Sequence, residues 1–305
     1  MDTGFGKDDL GAARSFLEIA THAARDYCGP TMGHHAFIMC SDHCLSACLA
    51  ITDLADTCGS CSIPTYCDDR IPGWAGQGCC AILVSASGMS YDLAIVRDEL
   101  RSRGCETFCI ISGEESVVCD GNKVEIPGDL DSVGQEAFVL GTLCAVFAST
   151  SLDSITKLQS AVSSIELDLD KIHDRAESIC RSIGGGIIAV YSTSETRACS
   201  KSWADFIGMR TGRFVFCSEL PEFDHNELVG WSDPNSHAPG LRIVVLREEQ
   251  DESIVSTIVG CMLEVLRENG RDVTAVDIGS GSSLQKDLTG MILGHAVAAS
   301  MEVMQ

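Results

Sequence analysis

Apolar stretches of strand length alternate with helix-period stretches almost from end to end of this chain, and that order leaves few folds open. Residues 9–27 carry Leu10, Phe16, Leu17, Ile19 and Ala20 at helical spacing. A short strand is predicted at 35–39, a helix at 42–54 with Ser41 or Asp42 as cap, and a strand at 63–67. A central strand at 79–84 follows, then a helix at 89–103 stopped by Gly104, strands at 107–112 and 123–126, and an apolar helix at 135–148. The pattern then restarts. One long amphipathic helix at 154–183 closes on Gly184-Gly185-Gly186 and leads to a strand at 187–191, a hydroxyl turn Ser192-Thr193-Ser194-Glu195-Thr196 and a helix ending near Met209. Strands at 214–217, 241–247 and 273–278 flank a helix at 253–269, and a helix at 284–304 closes the chain. Parallel neighbours need a crossover, and right-handed crossovers lay helices on both sheet faces. The predicted class is therefore α/β, two three-layer α/β/α sandwiches with mostly parallel sheets, over residues 1–150 and 151–305.

The central strand of the first half ends in a hydroxyl-rich turn, Ser85-Ala86-Ser87-Gly88-Met89-Ser90, and a helix begins at once. Orphan N–H groups of a first helical turn, the helix dipole and serine hydroxyls together form an anion cradle. Ser85, Ser87, Gly88 and Ser90 are the candidate phosphate-binding residues, with Ser41 after the first strand beside them. The turn has no lysine or arginine and lacks both GxxxxGK[ST] and GxGxxG, so it suits one phosphate on a neutral body rather than a nucleotide. The plain alternative is an ordinary capped helix.

Charge narrows the partners. A net charge of -23 with only 21 Lys+Arg argues against nucleic acid and anionic membrane, which both need a basic footprint. No run reaches the roughly 18 apolar residues of a membrane span, and the acidic start has no apolar leader segment. A cytoplasmic protein is expected, with no cofactor. Seventeen cysteines are many for such a chain, and nine fall in residues 28–80. Cys40, Cys44 and Cys48 are spaced for one helix face, and Cys58-Gly-Ser-Cys61 is a CxxC open to redox pairing. The favoured reading is cysteine as a small buried hydrophobe and no metal. The alternative is a soft metal held by Cys40, His43 and Cys44.

Three segments carry a resemblance to a known family. Ser85–Ser90 stands where the bifunctional phosphoglucose/phosphomannose isomerases of archaea and some bacteria have S-x-S-G-[NS]-T. Residues 219–227, ELPEFDHNE, are similar to that family's L-P-x-x-x-H-N segment, and the last 70 residues repeat its order of elements. The resemblance spans nearly the whole chain. It implies two sugar-isomerase (SIS) domains, a phosphorylated sugar as partner, a homodimer, and His225 as the catalytic histidine that opens the ring and shuttles protons on sugar oxygens.

The chain departs from the family at decisive places. The glycine-rich G-x-G-G-S loop is here Cys40-Ser41-Asp42-His43-Cys44, whose Asp42 would repel a phosphate. The glutamate base, sixteen residues before the histidine, is Met209, and the arginine position falls at Gln135, beside Glu136. Substitute bases are sought among Asp42, His43, Glu136, Asp205 and Glu195. Three functions are thus open: a sugar-phosphate aldose–ketose isomerase with an altered site, a non-catalytic phosphosugar-binding sensor or regulator, and a metal- or thiol-dependent protein on the same fold.

Overall fold

The computed structural model describes residues 9–29, 35–58, 61–67, 70–113, 116–119, 121–150, 152–220, 227–228, 230, 240–248 and 254–304. The chain divides into two compact units, Ser15–Val162 and Ser163–Gln305 with the residues before Ser15.

The first unit runs through α1 (Asp9–Asp26), β1 (Ala36–Cys40), α2 (Leu45–Cys58), β2 (Thr65–Tyr66), β3 (Cys80–Ser85), α3 (Tyr91–Ser102), β4 (Glu106–Ser112), β5 (Lys123–Ile126), α4 (Ser132–Val146) and α5 (Ser154–Glu166). Its sheet is wholly parallel in the order β2-β1-β3-β4-β5, with Met39 opposite Leu83 and Leu83 opposite Cys109. The β1 run AFIMC is buried throughout, as parallel strands covered on both faces require. Phe37, Met39, Ala81, Leu83, Cys109 and Ile111 meet Leu93, Val96 and Leu100 of α3. The alternate residues Ile38, Ile82 and Ile110 project to the opposite face and are equally buried.

The second unit contains α6 (Leu169–Ile183), β6 (Ile187–Thr193), α7 (Arg197–Thr211), β7 (Val215–Leu220), β8 (Leu241–Arg247), α8 (Ile254–Glu268), β9 (Val273–Asp277) and α9 (Ser283–Val303). Its sheet, also all parallel, has the order β7-β6-β8-β9. Val259, Met262, Leu263 and Leu266 of α8 cover one face. Helix α9 packs on α7 and α6. The contact with α7 is close because Gly290 and Gly294 carry no side chain. Trp203 Nε1 donates to the Gly290 carbonyl at 2.7 Å, and a Cβ at Gly294 would lie 2.4 Å from Trp203 Cδ1.

Both sandwiches and their parallel sheets agree with the sequence reading, and three local expectations change. The helix at 154–183 is two helices, α5 and α6, separated at Leu167 and Asp168. Leu167 falls off the apolar stripe and is exposed, and Asp168 takes the N-cap position of α6. The helix at 42–54 starts only at Leu45, because Asp42 folds back on the Cys44 N–H and holds a turn there. Cys40 ends β1 and does not share a helix face with Cys44 and Cys48. Among the described residues no helix is long and apolar enough to cross a membrane.

Candidate functional site

In a parallel sheet of this order, β1 and β3 send their crossovers to opposite faces, and the crevice outside their carboxyl ends is the natural ligand position. The turns after these two strands are the segments the sequence reading singled out. Ser85, the last residue of β3, is buried, and its Oγ accepts from Gly88 N at 3.2 Å. Ser87 is exposed and its Oγ accepts from Met89 N at 3.2 Å. Ser90 caps α3, its Oγ accepting from Leu93 N at 3.3 Å. Gly88 has φ +65°, and a Cβ there would lie 2.2 Å from the Ser112 carbonyl oxygen. Each hydroxyl thus spends a lone pair on the turn; Ser85 and Ser87 Oγ lie 3.4 Å apart and one donates to the other, so that pair and Ser90 keep two protons between them as donors. Ser41 lies exposed on the β1–α2 turn.

The cradle already holds an anion of its own. Asp42 Oδ2 accepts a hydrogen bond from the Ala86 N–H, and Asp42 Oδ1 accepts from Cys44 N at 3.0 Å and from the Cys40 thiol at 3.8 Å. One carboxylate therefore ties the turn after β1 to the turn after β3. His43 Nε2 lies 3.1 Å from Gln135 Oε1, which α4 brings over the same edge. Glu136, beside it and fully buried, accepts from Ser46 Oγ.

Two of the side chains named for a soft metal are engaged with other groups here. Among the described residues no three His, Cys, Asp or Glu side chains converge to hold a metal ion. His43 turns to Gln135, while the Cys40 thiol donates to Asp42. Burial pushes the thiols of Cys44 and Cys48 well above the ordinary range. All seventeen cysteines are free thiols. Cys58 accepts a hydrogen bond from Lys157 Nζ at 2.9 Å.

His225 lies outside the described residues, as do Pro221 to Asn226 around it. Glu227 accepts a hydrogen bond from the Tyr191 hydroxyl, and burial followed by that carboxylate drives the phenol pKa far up. Met209 stands on the last turn of α7, 52% exposed. The substitute bases are all engaged: Asp42, His43 and Glu136 as above, Asp205 with Lys201 Nζ at 2.5 Å, and Glu195 with Lys286 Nζ at 3.4 Å.

The Lys286 contact opens a second place, at the hydroxyl turn that follows β6. At the β6–β8 switch of the second sheet, a cavity of about 260 Å³ is lined by Thr193, Ser194, Glu195, Thr196, Arg247, Glu248 and Ser256, with Val255, Val259, Ile278 and Lys286 completing it. Lys286 sits in the first turn of α9, its side chain 7% exposed, and donates to Glu248 as well as to Glu195. The sequence signals of this place are the hydroxyl turn at 192–196 and a lysine at the positive end of an apolar helix, where a cation is disfavoured unless carboxylates meet it.

Comparison with known proteins places this geometry in a family context. Residues 172–303 match the bacterial phospho-glucose isomerase C-terminal SIS domain family. A bifunctional phosphoglucose/phosphomannose isomerase from Aquifex aeolicus is 24% identical over 213 residues, which is 68% of this chain and 65% of that protein. The match thus takes in just under two thirds of the curated relative's length. The C-terminal domain of glucosamine-fructose-6-phosphate aminotransferase from Francisella tularensis shares the fold at TM-score 0.74 and 10% identity, covering 99% of this chain and 97% of its own. The tagatose-6-phosphate ketose/aldose isomerase from Escherichia coli does so at TM-score 0.67 and 12% identity, covering 98% and 92%. The fold is that of two SIS-type α/β/α sandwiches, residues 172–303 match the SIS domain family, and the chain resembles the bifunctional isomerases.

Proposed function

We propose that this chain binds a phosphorylated sugar at the β1–β3 switch and does not isomerise it. The observation that carries the reading is the set of side chains at the turn after β1. Aldose–ketose isomerisation needs a base at C1/C2 and a cation or donors for the enediolate. At this edge Asp42 is bonded into the turn after β3, and Gln135, at the position of the family's arginine, is bonded to His43. Met209 at the position of the family's glutamate has no basic group. Phosphate has a place on the outer side of the cradle, where the Ser87 and Ser90 hydroxyls and the N-terminus of α3 remain as donors. The Ala86 N–H is committed to Asp42, and that negative charge keeps the affinity low. A homodimer goes with this reading through the family resemblance. The apolar stripe of α9 does not supply its interface, since Leu288, Ile292, Leu293 and Val297 are buried within the second unit.

The test is a thermal-shift titration with glucose 6-phosphate, fructose 6-phosphate, mannose 6-phosphate and inorganic phosphate, run beside a coupled assay of fructose 6-phosphate to glucose 6-phosphate conversion. A ligand bound to the native state raises the midpoint. The expected result is a rise without turnover, unchanged in His225→Ala. Turnover that His225→Ala abolishes would establish an isomerase with a relocated base, and no rise with any of the four would remove the phosphosugar reading.

A further inference from the structure

The geometry points to a second small-molecule site, in the cavity at the β6–β8 switch, for a neutral polyhydroxylated compound of monosaccharide size. Three observations carry it. First, the cavity lies outside the carboxyl ends of strands that send their crossovers to opposite faces, where open α/β sheets bind ligands. Its volume of about 260 Å³ is just below the roughly 300 Å³ at which small-molecule sites begin, so the occupant is small.

Second, the lining is built for hydroxyl groups. Glu195 and Glu248 can each accept from vicinal hydroxyls, the Lys286 ammonium donates to an oxygen, and Thr193, Ser194 and Ser256 do either. The cavity wall of Val255, Val259 and Ile278 offers an apolar face to a sugar ring's C–H groups. Third, the charges select against ions. Two cationic side chains, Lys286 and Arg247, stand among two carboxylates, and Lys286 is already bonded to both. A phosphate dianion would meet Glu195 and Glu248, and an amine would meet Lys286. A neutral polyol meets neither penalty and leaves the buried Lys286 paired, as a desolvated ammonium must be.

The site is independent of the cradle in the first unit, and the test keeps them apart. Calorimetric titration of the full chain would use glucose and sorbitol as neutral probes, gluconate and glucose 6-phosphate as anions, and glucosamine as a cation. The neutral probes are expected to bind in wild type and in Asp42→Ala alike. Lys286→Met and Glu248→Gln should weaken them at least tenfold. Val255→Phe, which blocks the cavity while leaving every charge in place, should do the same and guards against a folding defect in the charge variants. The proposal is overturned if neither glucose nor sorbitol binds up to roughly 10 mM, ten times a 1 mM Kd. It is equally overturned if a charged probe binds tighter than both, or if Val255→Phe leaves their binding intact.

Discussion

Replacing Asp42 with alanine removes the carboxylate that joins the two turns of the first switch point, and two measurable quantities should move in opposite directions. Stability should fall. The carboxylate accepts from Cys44 N at 3.0 Å and from Ala86 N. Hydrogen bonds to a charged acceptor contribute about 1.5–3 kcal/mol each, and the half-buried site lets water replace part of that, so a loss of about 2–3 kcal/mol is expected. For a unit of this size, about 2–4 °C per kcal/mol, the midpoint should drop by roughly 4–12 °C. Affinity for sugar phosphate should rise. Unit charges about 7 Å apart repel by roughly 0.6 kcal/mol at the dielectric of water and 2.4 kcal/mol near a protein surface, and phosphate carries nearly two charges. Freeing the Ala86 N–H adds a donor. A gain of at least tenfold, about 1.4 kcal/mol, follows. Thermal-shift titration of both proteins with glucose 6-phosphate reads both effects at once. Asp42→Asn, which keeps an acceptor and loses the charge, should tighten binding with a smaller drop in midpoint. Wild type binding as tightly as Asp42→Ala, or an unchanged midpoint in the variant, would refute the picture of an internal anion in the cradle.

Other consequences are as open to measurement. Burial pushes the Cys144 thiol from 9.0 up to about 12, so the folded state holds its proton where the unfolded chain releases it. Its contribution is complete below pH 9 and is lost as pH rises from 9 to about 12, at about 1.4 kcal/mol per pH unit. Urea unfolding under reducing conditions at pH 8 and pH 10.5 should show a shallower pH slope in Cys144→Ala, and an identical slope would sink the argument. Gly294→Ala places a methyl 2.4 Å from Trp203 and should cost about 1–3 kcal/mol in urea unfolding, unlike an alanine at the open position Gly260. Tyr191→Phe leaves the Glu227 carboxylate without its hydroxyl donor and should lower stability by about 1.5–3 kcal/mol, a loss that Tyr191→Phe combined with Glu227→Gln reduces.

The sheets were legible in the sequence because parallel strands buried on both faces are short apolar runs between turn residues, as AFIMC and CAILVS are. The break between α5 and α6 was not, since the apolar stripe keeps its phase from Ile165 to Leu169 and Ile172 across the turn, and periodicity alone sees one helix. At the candidate site the hydroxyl turn was readable as a local signal, whereas the contacts that decide its chemistry join residues far apart in the chain. Asp42 reaches Ala86 over 44 positions and His43 reaches Gln135 over 92. Lys286 and Glu248 are each, in sequence, one more charge in a chain with 44 Asp+Glu, Glu195 is one of five candidate bases there, and only the fold makes the three a cluster.

The replacements at the first switch point fit one another, and that bears on what the chain does now. The turn after β1 carries Asp42 and His43. Each of these side chains has found an internal partner at the same edge, Asp42 in Ala86 N–H and His43 in Gln135. An anion is supplied to the turn after β3 from within by Asp42, and Gln135 serves as hydrogen-bond partner to His43. Replacing either Asp42 or Gln135 alone therefore breaks a contact at this edge. The proposed binding reading follows from that coupling, because the outer donors of Ser87 and Ser90 are the part of the cradle that the internal contacts leave available.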